Sequence, residues 1–264
     1  MKVIYISELV GKPGVFTFRK SIEELKKRYR WDFMIVNCNG ATGGNGLGRT
    51  HAAYIHKLGA DVITLGKCCY YKKDLTGNMD KTPYVLRPEN LNPDSPGIGA
   101  KVFKIKSSSE KIAAAVFLGQ NCFNRLHANS PFISLPRVTE QLRKQTPYIV
   151  IDFHAQASAE KKTFFYAADG LCSAVIGSAG RVQTSDEKIY PAGTACICDA
   201  GRTGSSQSAG GSAISSKIRE YKTGIPDWTK DAWEELEIQG VFIDIGKDGK
   251  SRSIERIKIP VENI

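Results

Sequence analysis

The chain predicts an α/β fold whose sheet is covered on both faces. Three observations carry this: continuous apolar runs of strand length, helical apolar spacing between them, and polar or Gly-rich clusters at the ends of the runs. The runs are 3–6, 33–37, 61–65, 112–118, 148–153 and 173–177. Between the first two, Phe18, Ile22, Leu25 and Tyr29 recur at helical spacing, and 50–58 and 137–144 are further helix candidates. The last third changes character. Segment 201–216 is rich in Gly and Ser and reads as a long surface loop, and 238–245 with 253–259 reads as a terminal strand pair around Lys247-Asp248-Gly249. No internal repeat or domain boundary is evident, so residues 1–264 form one domain.

The composition is globular, with 41% hydrophobic and 24% charged residues, which removes disorder as the default. Thirty-seven basic residues against 27 acidic give a net charge of +10, so an anionic partner such as a nucleotide, RNA or a lipid headgroup is a natural candidate. The lysines are scattered, with pairs such as Lys26 and Lys27 or Lys72 and Lys73 but no run, which fits a solvated basic surface better than a nucleic-acid groove. Seven cysteines without a CxxC pair, several inside apolar runs, read as reduced thiols. The opening apolar run is too short for a signal peptide and no stretch is long enough to span a bilayer. A cytoplasmic protein is therefore expected.

Four strand ends carry the loops where function collects in open α/β sheets: Ser7-Glu8-Leu9-Val10-Gly11, Asn37-Cys38-Asn39-Gly40, Gly66-Lys67-Cys68-Cys69 and Asp152-Phe153-His154-Ala155-Gln156. The run from Gly43 to Thr50 matches a phosphate-binding loop except that Arg49 stands where that motif needs Lys. It reads as a Gly-rich turn, with Gly46 and Arg49 kept as phosphate-binding candidates. Of the four histidines, His51 and His56 read as ordinary helix residues. His154, just past a strand, is the candidate for chemistry, with a structural histidine as the alternative. No Gly-x-Ser-x-Gly elbow sits between a strand and a helix, which argues against a serine hydrolase.

In order along the chain, Val10-Gly11-x-Pro13-Gly14, Phe33-x-Ile35-Val36-Asn37, Gly43-Gly44-x-Gly46, Leu58-Gly59-Ala60-Asp61, Arg87-Pro88-x-Asn90, Asp152-Phe153-His154-Ala155, Val182-Gln183-Thr184-x-Asp186-Glu187 and Gly193-Thr194-Ala195 resemble the bacterial YmdB family. These are calcineurin-like metallophosphoesterases implicated in hydrolysis of 2′,3′-cyclic nucleotides. The resemblance implies a four-layer α/β-β/α sandwich, two divalent metals such as Fe or Mn, and a homo-oligomer. It further implies metal ligands that this chain does not repeat: Glu8 stands for an Asp, Asn39 and Gly40 for a Glu-Asn pair, Lys67 and Cys68 for an Asn-His pair, and Ala179 and Arg181 for the two histidines of a His-Thr-His motif. Gln156 replaces a neighbouring Glu, and His154 alone is unchanged.

Dications need oxygen and nitrogen donors that offset their charge, and two cations, Lys67 and Arg181, are expected in the vacated space. The expectation is a metal-free pocket in a catalytically degenerate pseudoenzyme that binds a phosphate, a nucleotide or a protein partner through Lys67, Arg181 and the Gly-rich loop. Segment 201–216 and the Trp228/Trp233 region are the candidate contact surfaces. The alternative is an active phosphodiesterase on 2′,3′-cyclic nucleotides, using a non-standard metal site or a Cys68/His154 pair whose thiolate the nearby cations would favour.

Overall fold

The computed structural model describes residues 1–106, 108–121, 126–226 and 230–262, so Cys122 and Trp228 lie outside the described residues. In chain order the strands are β1 (Lys2–Ile6), β2 (Glu8–Leu9), β3 (Phe33–Asn37), β4 (Val62–Thr64), β5 (Val85–Leu86), β6 (Ala100–Lys104), β7 (Lys111–Leu118), β8 (Ile149–His154), β9 (Ala174–Ser178), β10 (Lys188–Ile189), β11 (Ala195–Ile197), β12 (Arg202–Ser205), β13 (Leu236–Ile245) and β14 (Ser251–Pro260). The helices are α1 (Gly11–Arg28), α2 (Arg49–Lys57), α3 (Lys73–Thr76), α4 (Pro131–Arg143), α5 (Ser158–Ala168) and α6 (Ile214–Thr223).

Two sheets pack face to face. The first runs β2-β12-β13-β1-β3-β4-β5 with β14 beside β13, and the second runs β10-β11-β9-β8-β7-β6. Alternation along each strand creates three cores. Val3, Tyr5, Phe33 and Ile35 of the first sheet meet Ala114, Val116, Val150 and Ile176 of the second in the central layer. Ile4, Ile6, Met34 and Val36 face outward onto Phe18, Ile22 and Leu25 of α1 and onto Ala52 and Ile55 of α2. Ala113, Phe117, Ile151 and Phe153 face Leu135 and Val138 of α4 and Phe164 and Phe165 of α5. This is the four-layer α/β-β/α sandwich that the motif resemblance implies, and each strand reads as continuously apolar because both faces are covered.

Three expectations need correction. Segment 201–216 is not one surface loop: β12 pairs parallel with β2 and antiparallel with β13, and α6 begins at Ile214. Its polar composition hides a strand because Arg202 is buried and donates to the carbonyls of Arg181, Ser205 and Ser206. Helix 137–144 starts earlier, at Pro131, since proline at the first helical position gives up only an N–H that would have no partner there. α5 is absent from the sequence reading because its inner face carries Glu160 and Lys161 beside Phe164, Phe165 and Ala168, which breaks the apolar period.

The parallel run β1, β3, β4 and the run β8, β9 deliver their C-terminal ends to the same edge of the sandwich. The functional candidates lie there. No helix among the described residues is long and apolar enough to cross a membrane.

Candidate active site

The floor of the site is a buried polar network that ties the sheets together. Asp152 on β8 accepts from Tyr5 Oη (2.8 Å), Asn37 Nδ2 (2.9 Å), Thr64 Oγ1 (2.5 Å) and Ser178 Oγ (2.7 Å). Burial raises the Asp152 carboxyl above its usual range, while its donors, Thr64 and Ser178 foremost, pull the other way. Because the Ser178 hydroxyl spends its proton on Asp152, the 3.0 Å contact between Ser178 Oγ and His154 Nδ1 has the imidazole as donor. His154 is fully buried, and desolvation drives its pKa down to about 3, against the opposing pull of Glu8, with Lys67, Lys161 and Arg181 adding to the drop. It is a neutral imidazole with Nδ1 protonated and Nε2 carrying the lone pair.

Above the floor, Asn39 organises the loops. Its Oδ1 accepts from Gly66 N (3.0 Å) and Cys68 N (2.9 Å), and its Nδ2 faces Glu8 Oε1 at 3.4 Å. Gly66 has no room for a side chain, because a Cβ there would lie 2.1 Å from the His154 ring. The centre is an ion pair: Arg181 Nη2 donates to Glu8 Oε1 at 2.7 Å and to Gly44 O at 2.9 Å, while Nη1 donates to Gly210 O at 2.9 Å. Glu8 is 2% exposed. Burial alone would raise its carboxyl, but the charge and hydrogen bond of Arg181 outweigh that and hold it below the usual carboxylate range. Gly40 makes the pair possible, since a Cβ at that position would sit 2.8 Å from both Arg181 Nη2 and Glu8 Oε1.

The backbone around Arg181 is itself anchored. Ala179 (φ 91°) and Arg181 (φ 58°) both occupy the left-handed region that side chains avoid, so the surroundings must hold them there. Asp199 does so, accepting from Gly180 N at 2.7 Å, and is paired in turn with the ammonium of Lys161 at 2.9 Å, with both side chains 4% exposed. Arg202 Nη1 holds the Arg181 carbonyl at 3.0 Å.

The predicted site residues therefore converge only in part. Glu8, Asn39, Gly40, His154 and Arg181 share one centre, and Lys67 and Cys68 flank it on the loop that Asn39 holds. Arg49 does not join them. It is exposed at the start of α2, where its backbone N–H donates to the Asp74 carboxylate at 2.9 Å, so an acidic side chain already caps the helix end that a phosphate would use. The Cys68 thiol is 1% exposed and burial pushes its pKa up, reinforced by Glu8 and only partly opposed by Lys67 and Arg181. The expected thiolate is thus not favoured, and with His154 neutral the pair lacks the ionisation that nucleophilic catalysis requires. Sequence reasoning named Arg181, the Gly-rich loop and segment 201–216 separately but not that they line one cleft with Lys217 and Asp231. A cleft of about 390 Å³ is lined by Arg181, the glycines 43, 44 and 210, Ser212, Lys217 and Asp231, which come from four loop segments and α6 with no linear signature.

The donor set does not fit a dimetal centre. Among the described residues no three His, Cys, Asp or Glu side chains group as a metal would need. The Glu8 carboxylate is occupied by a guanidinium, and Gly40 and Ala179 offer no side-chain donor. A dication about 4 Å from that guanidinium would meet a repulsion of about 8 kcal/mol at an effective dielectric of 20.

Two face-packed sheets inside helices, with loops of both sheets converging at one edge, define the fold of the calcineurin-like phosphoesterases. The chain belongs to the YmdB family, whose YmdB-like protein description matches residues 4–257. It is 34% identical, across 98% of its own length and 97% of the relative's, to a 2′,3′-cyclic-nucleotide 2′-phosphodiesterase of Bacillus subtilis. Among solved structures it resembles a phosphatase from Mycoplasma pneumoniae, at 26% identity and a TM-score of 0.91, covering 98% of this chain and 93% of that one. A hypothetical protein from Thermus thermophilus superposes with a TM-score of 0.89 at 25% identity, covering 98% and 99%. These relatives overturn the expectation of a degenerate, binding-only pseudoenzyme: full-length similarity to a named phosphodiesterase and to a phosphatase favours the active-enzyme alternative.

Proposed function

We propose that this chain hydrolyses phosphodiesters, with 2′,3′-cyclic nucleotides as the substrate class, in the cleft above Arg181. The observation that carries this reading is the full-length similarity to the Bacillus subtilis phosphodiesterase, combined with a cationic cleft at the shared strand ends. Displacement at phosphorus needs positive charge against the equatorial oxygens and a fixed geometry for attack. Arg181 spends three N–H groups on Glu8, Gly44 and Gly210. A guanidinium carries five, so two remain for a phosphate that enters from the open side. Lys217 lines the same cleft and supplies a second cation, whose ammonium is paired with Glu220 at 2.9 Å. Glu8, kept ionised by Arg181, orients the guanidinium. The Asp152, Ser178 and His154 chain holds the imidazole as a neutral acceptor behind them. A cytoplasmic setting fits this reading, as all six described cysteines are free and buried.

The test is chromatographic. Purified protein incubated with 2′,3′-cyclic AMP or GMP should yield the 3′-monophosphate, and Arg181→Ala should lower turnover by roughly two orders of magnitude, as loss of a transition-state donor does. The reading fails if no nucleotide product forms over a broad pH range, with or without added Mn, Fe or Zn.

A further inference from the structure

We propose that Arg181 is the resident cation of this centre: its guanidinium takes the charge-balancing and loop-tying role of a divalent pair, so the folded chain takes up no stoichiometric metal there. The guanidinium joins three separate segments, contacting Glu8 at the start of β2, Gly44 in the loop after β3, and Gly210 after β12. Such bridging between strand ends is what a multidentate ion would provide.

Its placement is built rather than incidental. Gly40 clears the volume that any larger residue would fill, and two consecutive supports fix the strained backbone: Asp199 on the Gly180 amide and Arg202 on the Arg181 carbonyl. The Lys161 ammonium neutralises Asp199 inside the protein, so the support carries no unbalanced charge. The fork geometry matters too, because one lysine ammonium could not reach a carboxylate and two divergent carbonyls with the same planar spacing. The proposal does not depend on the phosphodiesterase reading, since it concerns what holds the loops whether or not a substrate turns over.

The test uses the intact chain expressed in medium supplemented with Mn, Fe and Zn. Elemental analysis of the desalted protein should find below about 0.1 equivalent of these metals, because ion binding at a folded site would be tight enough to survive. Its melting temperature should be unmoved by EDTA or by added Mn²⁺. Arg181→Ala should melt on the order of 10 °C lower, since it leaves a buried carboxylate unpaired, and Glu8→Gln in that background should recover a good part of the loss. Should Arg181→Ala fail to fold, Arg181→Lys, which keeps the charge but loses the fork, should fold and melt below the parent. Near-stoichiometric metal with an EDTA-induced drop in melting temperature overturns the proposal, as does an Arg181→Ala or Arg181→Lys protein that melts like the parent. A negative phosphodiesterase assay would leave metal content and melting shifts untouched, so the two readings fail separately.

Discussion

Asp152→Ala would remove the common acceptor of four buried donors, Tyr5 Oη, Asn37 Nδ2, Thr64 Oγ1 and Ser178 Oγ. Each donor left without a partner in the interior costs about 1–3 kcal/mol. Two of the four have somewhere to turn: Asn37 Nδ2 lies 3.2 Å from Tyr5 Oη, and Ser178 Oγ lies 3.0 Å from His154 Nδ1, which accepts once the imidazole proton moves to Nε2. The other two then cost about 2–6 kcal/mol in all. A chain of this length unfolds with an entropy of roughly 0.55 kcal/mol/K, which converts the loss to a fall of about 4–11 °C in Tm. Asp152→Asn is the control. It keeps an acceptor oxygen and can donate to Ser178, so its loss should stay below about 4 °C. Parallel melts followed by circular dichroism at neutral pH would measure both. A Tm for Asp152→Ala within about 2 °C of the parent, or an Asn variant as damaged as the Ala one, would refute the claim that this network joins the two sheets.

Other outcomes follow from the same geometry. Lys161→Met should cost about 3–5 kcal/mol, because Asp199 is left buried with two backbone amides and no counter-charge; an unchanged melt would show the pair to be dispensable. His154 is held neutral down to about pH 3, whereas an unfolded imidazole takes up its proton near 6.5. The unfolded chain therefore binds the extra proton between these values, so stability contributed above pH 6.5 should fall by up to about 1.4 kcal/mol per pH unit on acidification. Urea unfolding of the parent and of His154→Asn between pH 7 and 5 should show a shallower slope for the variant, and equal slopes would count against the assignment. The raised Cys68 pKa predicts that Cys68→Ser leaves phosphodiester turnover unchanged and that native protein reacts slowly with a thiol reagent at pH 7.5; rapid labelling of Cys68 would contradict it.

The chain itself was informative wherever physics is local. Apolar runs such as 33–37 and 148–153 could only be covered strands, and the strand-end positions of Glu8, Asn39, Lys67 and His154 followed from them. Short-range patterns failed where burial was polar. β12 and α5 bury Arg202, Glu160 and Lys161, which hold the distant partners Arg181, Gln120 and Asp199 and leave no apolar period. Arg49 shows the same limit from the other side: the run 43–50 read as a Gly-rich turn with Arg49 kept as a phosphate candidate, and only the fold shows Asp74, 25 positions on, capping that helix start.

Residue types and order alone determined the family of this protein and its layered architecture. Only tertiary structure decided what the strand-end side chains do. Glu8 and Arg181 are 173 positions apart, and their 2.7 Å contact exists because strand ends from both sheets meet at one edge. Cys68 and His154 show the same division, because a thiol or imidazole titrates according to the solvent and charges around it, which depend on the packed fold and cannot be read from chain neighbours.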